Sequence, residues 1–137
     1  MVAYAYNDGG RAAAGYKGIA GDCVVRALAI VTERPYKEVY ATVQEFCKKH
    51  GKGSARTGVP KEVTRALAEH YGLKWVPVMR VGSGVTMHVS ADELPSGRLM
   101  LKLSRHVVAC IDGVIHDTYD ASRDGRRAVY GYWVMDN

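Results

Sequence analysis

The first half of the chain carries three runs of apolar residues at helical spacing, over residues 23–33, 35–50 and 60–71. Apolar positions three and four residues apart place their side chains on one face of a helix, and that face can pack on a core. The pattern therefore predicts a helical half, residues 22–72. An irregular arm, residues 1–21, precedes it and contains a glycine-rich turn signal.

The second half changes to short apolar stretches that are separated by glycine, proline, aspartate and serine. Stretches of this length and punctuation are typical of β-strands. Helices followed by strands favour an α+β domain, with N-terminal helices packed on a C-terminal antiparallel sheet. The length of 137 residues suits a single domain over 1–137, with its sheet half in 73–137. The predicted strands are 73–78, 85–89, 98–103, 105–111, 114–119 and 128–135.

A strong turn signal lies inside this second half, where Asp112-Gly113 separates two apolar strands. An Asp-Gly pair in this setting predicts a two-residue type I′ hairpin. The hairpin fixes the register, and side chains alternate between the two faces of a strand. His106 and Asp117 then lie on one face as diagonal neighbours, whereas His116 lies on the other face.

A cysteine begins the first predicted helix. Asp22 is a residue type that caps helices, because its carboxylate can accept from free N–H groups of the first turn. Cys23 then occupies the first helical position, where the helix dipole and free N–H groups lower the pKa of a thiol and favour the nucleophilic thiolate. The alternative is a small buried residue in a core helix. Cys47 falls on an apolar helical stripe, and it and Cys110 are interpreted as core residues.

The charge and cysteine content limit the classes of protein. The net charge is +5, but the basic residues are scattered, which favours a solvated face over a nucleic-acid patch. Three widely spaced cysteines without a Cys-x-x-Cys pair argue against a disulfide framework and a zinc site. We expect no cofactor and no metal. No apolar run approaches the ~20 residues of a membrane span, and no signal peptide is recognisable. The prediction is a cytoplasmic protein without a membrane partner.

The order of these chemical groups resembles a known family. Asp22-Cys23 opens a helix, His106-Val107-Val108 lies on a strand, and Asp117 lies on its hairpin partner. This order is similar to that of the papain-like cysteine peptidase superfamily, in particular the double-glycine leader peptidases of bacteriocin exporters. The resemblance implies a papain-like architecture and a peptide or protein substrate. It also implies that Cys23 is the nucleophile, His106 the general base and acid, and Asp117 the orienting residue.

Two further features bear on that resemblance. Residues 21–28 and 111–120 also resemble small phage-encoded proteins, which would place the chain in a host cytoplasm. The peptidase family carries a glutamine about six residues before the cysteine as an oxyanion donor, and Lys17 stands there in this chain. Losing one such donor typically lowers turnover about 10²- to 10³-fold. A lysine can donate instead, as can the Cys23 backbone N–H or Asn7 on the arm. Arg26 either braces the site or pairs with Asp117.

Three hypotheses follow from the sequence. The first is a cysteine-dependent hydrolase, of peptidase, amidase or thioesterase type, that forms an acyl-enzyme; an amine acceptor would make it a transferase. The second is a weak or inactive papain-like fold that binds a host protein or nucleic acid. The third is a metal site made by Cys23, His106 and Asp117. The sequence does not predict an oligomeric state.

Overall fold

The three helical patterns of the first half form three helices. The computed structural model describes residues 3–18, 20–78, 87–90 and 93–135. Gly51 ends the second helix in the left-handed conformation, at φ 71°, where a side chain would be strained. Over the described ranges, none of the helices combines the length and the apolar character needed to cross a membrane. The helices are α1 (Cys23–Thr32), α2 (Tyr36–His50) and α3 (Lys61–His70).

The strands of the described residues form a six-stranded sheet and a separate two-stranded pair. The α+β class predicted from the sequence is confirmed. The first two residues of the predicted strand 85–89 lie outside the described residues. The strands are β1 (Ala3–Tyr6), β2 (Leu73–Pro77), β3 (Met87–His88), β4 (Arg98–Leu103), β5 (His106–Ile111), β6 (Val114–Asp117), β7 (Ala128–Val129) and β8 (Gly131–Met135). The six-stranded sheet has the order β1-β6-β5-β4-β8-β2, and β3 pairs with β7.

The N-terminal arm differs from the prediction of an irregular segment. Strand β1 pairs in parallel with β6, with Tyr6 opposite Asp117, so the sheet is mixed and not purely antiparallel. The Tyr4 hydroxyl and the Asn7 backbone N–H both donate to the Asp117 carbonyl, at 3.2 and 2.9 Å. The prediction missed β1 because this short segment becomes a strand only through its pairing with β6, which lies more than 100 residues away in sequence.

The predicted strand 128–135 is divided in the structure. The chain changes partners at Tyr130, because β7 pairs with β3 while β8 pairs with β4 and β2. The backbone N–H of Tyr130 donates to the Lys102 carbonyl at 2.9 Å, so the break retains a hydrogen bond to the sheet. The apolar pattern runs through this break, and the sequence therefore predicts one strand where there are two.

Helix α1 packs across β5 and β4 and forms the main core with α2 and α3. Val25, Leu28 and Val31 of α1 are fully buried. Burial of each such side chain contributes about 1.5–3 kcal/mol relative to exposure. The opposite face of the sheet carries a second apolar cluster that includes Val108 and Ile115. Burial on both sides fixes the start of α1 relative to the start of β5.

The β5–β6 hairpin has the predicted turn and register. Asp112 and Gly113 have φ of 48° and 81°, as a type I′ turn requires. Ile111 pairs with Val114 across the turn. The Asp112 carboxylate also accepts from the Gly97 backbone N–H at 2.8 Å, which ties the turn to the start of β4. This hairpin brings His106 and Asp117 together.

Candidate active site

Cys23 is the first residue of α1 and lines a cavity of about 430 Å³. Its position at the helix start is as predicted, but the predicted capping of the helix by the Asp22 carboxylate does not occur. The Asp22 side chain makes no cap hydrogen bond, and its carboxylate accepts from Arg26 and from the Tyr36 hydroxyl instead. Asp22 is 1% exposed, and a buried carboxylate gains more from an arginine one turn later than from a neutral N–H.

His106 and Asp117 form a buried hydrogen-bonded pair across the hairpin. The Nε2 atom of His106 lies 2.7 Å from Oδ2 of Asp117. Because an ionised carboxylate only accepts, Nε2 carries a proton and donates it, and Nδ1 is the ring nitrogen left for another partner. The Thr118 backbone N–H donates to the other oxygen of Asp117 at 2.7 Å. The carboxylate therefore fixes both the tautomer and the position of the imidazole.

The pKa shifts couple Cys23 to His106. Burial alone would raise the pKa of the Cys23 thiol, but hydrogen bonds from His106 and the Val107 backbone, with the nearby charge of Arg26, lower it overall. Burial alone would lower the pKa of His106, yet its hydrogen bonds to Asp117 and Cys23 raise it. Both shifts favour a thiolate beside an imidazolium.

The pKa of Asp117 is lowered. Burial opposes this shift, but hydrogen bonds from His106 and Thr118 and the charge of Arg26 outweigh it. Asp117 therefore stays ionised at neutral pH and can act as the acceptor that holds His106. Asp117 is 3% exposed, so little water competes for this bond.

Arg26 joins the two carboxylates of the site. It donates to Asp22, and its other terminal nitrogen lies 3.3 Å from Oδ1 of Asp117. The two roles that the sequence left open for Arg26 are thus combined, because it braces the helix start and pairs with Asp117. Its guanidinium links the helix that carries Cys23 to the strand that carries Asp117.

Two residues behind the site, Arg11 and Tyr36, were not predicted. The Tyr36 hydroxyl donates to Oδ2 of Asp22 at 2.5 Å and accepts from Arg11 at 2.8 Å. Burial and the hydrogen bond to Asp22 raise the pKa of Tyr36. In the sequence Tyr36 belongs to the apolar stripe of α2 and Arg11 follows a turn, so neither has a spacing that points to the site.

The structure does not bring the proposed oxyanion donors of the arm to Cys23. Lys17 is exposed, and its side chain is not among the described residues that line the cavity. The Asn7 amide lies 3.3 Å from Nδ1 of His116, away from the cavity. Lys102 of β4 lines the cavity instead. It is half-buried, and its ammonium group donates to the Leu103 carbonyl at 3.0 Å. Burial lowers the pKa of Lys102, and the nearby Cys23 opposes this shift.

The other two thiols lie in the core, as predicted. Cys47 is 1% exposed and Cys110 is not exposed. Burial raises the pKa of Cys47, and it raises the pKa of Cys110 to about 11. Cys23 is thus the only one of the three cysteines, all of which lie in the described residues, that is both accessible and shifted towards the thiolate.

No family model, curated protein or solved structure matches this chain. The geometry and electrostatics of Cys23, His106, Asp117 and the buried groups around them therefore define what this site can do.

Proposed function

We propose that this protein is a cysteine-dependent hydrolase with a papain-like arrangement, acting on amide or thioester bonds. The observation that carries the proposal is that Cys23 and His106 line the same cavity, where the imidazole lowers the pKa of the thiol and is itself held by Asp117 at 2.7 Å. A nucleophile, a base and a group that orients the base are the parts that covalent acyl transfer requires. Their chain order, helix start then hairpin, also supports the papain-like resemblance.

The chemistry follows from these positions. The Cys23 thiolate attacks the carbonyl carbon, and the tetrahedral intermediate expels the amine or thiol, which takes a proton from His106. The acyl group is then held on sulfur as a thioester. Water attacks this thioester while His106 removes its proton, and the carboxylic acid leaves as the carbon–sulfur bond breaks. The cycle ends with the starting thiolate and imidazolium.

The oxyanion of the intermediate needs donors close to Cys23. The backbone N–H of Cys23 lies in the first turn of α1, where N–H groups have no partner within the helix. Lys102 supplies a cation in the same cavity. In this proposal these two groups take the role of the glutamine that the peptidase family uses.

A second candidate function is binding without turnover. It is favoured by the position of Lys17. This residue stands where the peptidase family carries its oxyanion-donating glutamine, but it is exposed and is not among the described residues that line the cavity. In that case Cys23 would not form an acyl intermediate, and the protein would serve to capture a host protein or a nucleic acid.

Acylation with p-nitrophenyl acetate separates the two functions. We expect mass spectrometry of peptides from the treated protein to find one acetyl group, on Cys23, because only this thiol combines access with a lowered pKa. The burst of p-nitrophenol should match the enzyme concentration.

Two variants control this experiment. Cys23→Ala should lose both the burst and the label, while Cys110→Ala should keep them. Label shared among the three cysteines, or absent from Cys23, would contradict the hydrolase and favour the binding function.

A further inference from the structure

The cavity beside Cys23 has a one-sided charge. Lys61 at the start of α3, Lys102 of β4 and Arg105 before β5 all line it. Among the residues described as lining the cavity there is no aspartate or glutamate. In the described part of the chain, no ion pair to a carboxylate involves any of these three cations.

The other charges of the site balance one another. Arg11 and Arg26 lie against Asp22 and Asp117, so this buried network has as many cations as anions. Cys23 and His106 add no net charge, whether both are neutral or both are ionised. Lys61, Lys102 and Arg105 therefore have no carboxylate among the described residues that line the cavity, and an anion that enters it can meet their positive charge.

The three cations lie at different depths. Lys102 is half-buried, and its hydrogen bond to the Leu103 carbonyl holds the ammonium group in place. Lys61 and Arg105 are exposed at the rim. Val59 and Trp133 supply apolar wall in the same cavity. Such a cavity suits an aliphatic stem that ends in an anion, because the stem packs on the wall and the anion meets the cations at the rim.

Resting on the proposed hydrolase, we propose that its substrate is a peptide with a carboxylate within one or two residues of the bond that Cys23 attacks. A carboxylate fits better than a phosphate diester because the cations surround a thiol nucleophile, whose target is a carbonyl group. Either an acidic side chain or a chain-terminal carboxylate supplies this chemistry. The cations would draw the substrate in and fix it over the sulfur.

The test is protection of Cys23 from p-nitrophenyl acetate by short peptides. Acetyl-Ala-Glu-Ala-amide should protect at a concentration roughly tenfold lower than acetyl-Ala-Gln-Ala-amide, and high salt should reduce this ratio. Acetyl-Ala-Gln-Ala with a free carboxylate shows whether a chain terminus serves as well. Protection by either carboxylate peptide over the neutral one supports the inference and identifies the source of the anion.

Substitutions at the rim of the cavity test whether Lys61 and Arg105 cause the preference for a peptide with a carboxylate. Lys61→Gln and Arg105→Gln should each lower the Glu-to-Gln ratio, whereas Lys48→Gln on the exposed surface of α2 should keep it. Equal protection by all three peptides, or protection only by an oligonucleotide, would overturn the inference while Cys23 still acylates. Failure of Cys23 to acylate without any competitor would overturn the proposed function, and the inference with it.

Discussion

His106→Ala is expected to slow acylation of Cys23 by p-nitrophenyl acetate at pH 6 by about 10²- to 10⁴-fold, the range of general acid–base catalysis. The variant removes the hydrogen bond and the charge that lower the pKa of the Cys23 thiol. Burial, which raises the pKa of the Cys23 thiol, then acts without its main opposing effect. The thiolate fraction at pH 6 must therefore fall, and the burst rate with it.

His116→Ala is the matched control for this variant. His116 lies on the neighbouring strand of the same hairpin, contacts Asn7 and is not among the described residues that line the cavity. The same substitution there should leave the burst rate within about twofold. Added imidazole should restore part of the rate in His106→Ala, because a small base can enter the space that the side chain leaves. Equal burst rates in the two variants would contradict the role of His106.

Arg26→Met is expected to lower the free energy of unfolding by about 3–5 kcal/mol, the usual effect of breaking a buried ion pair from one side. Methionine fills much of the arginine volume but leaves Asp22 and Asp117 facing each other without the cation between them. Both carboxylates are nearly inaccessible to water, at 1% and 3% exposure. Urea unfolding, followed by circular dichroism, gives the difference.

The exposed pair between Arg34 and Glu38 provides the comparison. Both side chains are about half exposed, at 52% and 51%, so Arg34→Met should change the free energy of unfolding by no more than about 1 kcal/mol. Adding Asp22→Asn to Arg26→Met should recover part of the loss, because it removes one buried charge. A loss in Arg26→Met as small as that in Arg34→Met would contradict a structural role for the buried network.

The buried pair of His106 and Asp117 makes the free energy of unfolding depend on pH in two ranges. The lowered pKa of Asp117 means that its contribution is present above the unfolded pKa of about 3.9 and is lost as the pH falls through the folded value. The raised pKa of His106 means that its contribution is present below about 6.5 and is lost as the pH rises through the folded value. The contribution of His106 and Asp117 to the free energy of unfolding is therefore greatest in mild acid.

Local signals predicted the parts of the site that are set by one or two adjacent elements. A two-residue turn fixes the hairpin register, so Asp112-Gly113 was enough to place His106 beside Asp117. The helix start at Cys23 was likewise visible in the apolar spacing. These features depend on backbone geometry that neighbouring residues determine.

The parts that were missed depend on contacts between distant segments. Strand β1 exists because it pairs with β6, and the Asp22 carboxylate turns from the helix N-terminus towards Arg26 and Tyr36 once all three are buried. The distance along the chain assigns Lys17 to the site, but Lys17 is not among the described residues that line the cavity. Burial decides these partners, and it is not encoded in local spacing.

The most direct test of the account is the pH dependence of Cys23 alkylation by iodoacetamide in the wild type and in His106→Ala. In the wild type we expect reactivity to persist below neutral pH, because a thiol with a lowered pKa keeps its thiolate in more acidic solution. In the variant the rate should fall at least as steeply as that of a free thiol, which has a pKa of about 8.5 and is only about 0.3% thiolate at pH 6. The same ordinary titration in both proteins would contradict the coupling of Cys23 to His106 and the hydrolase with it.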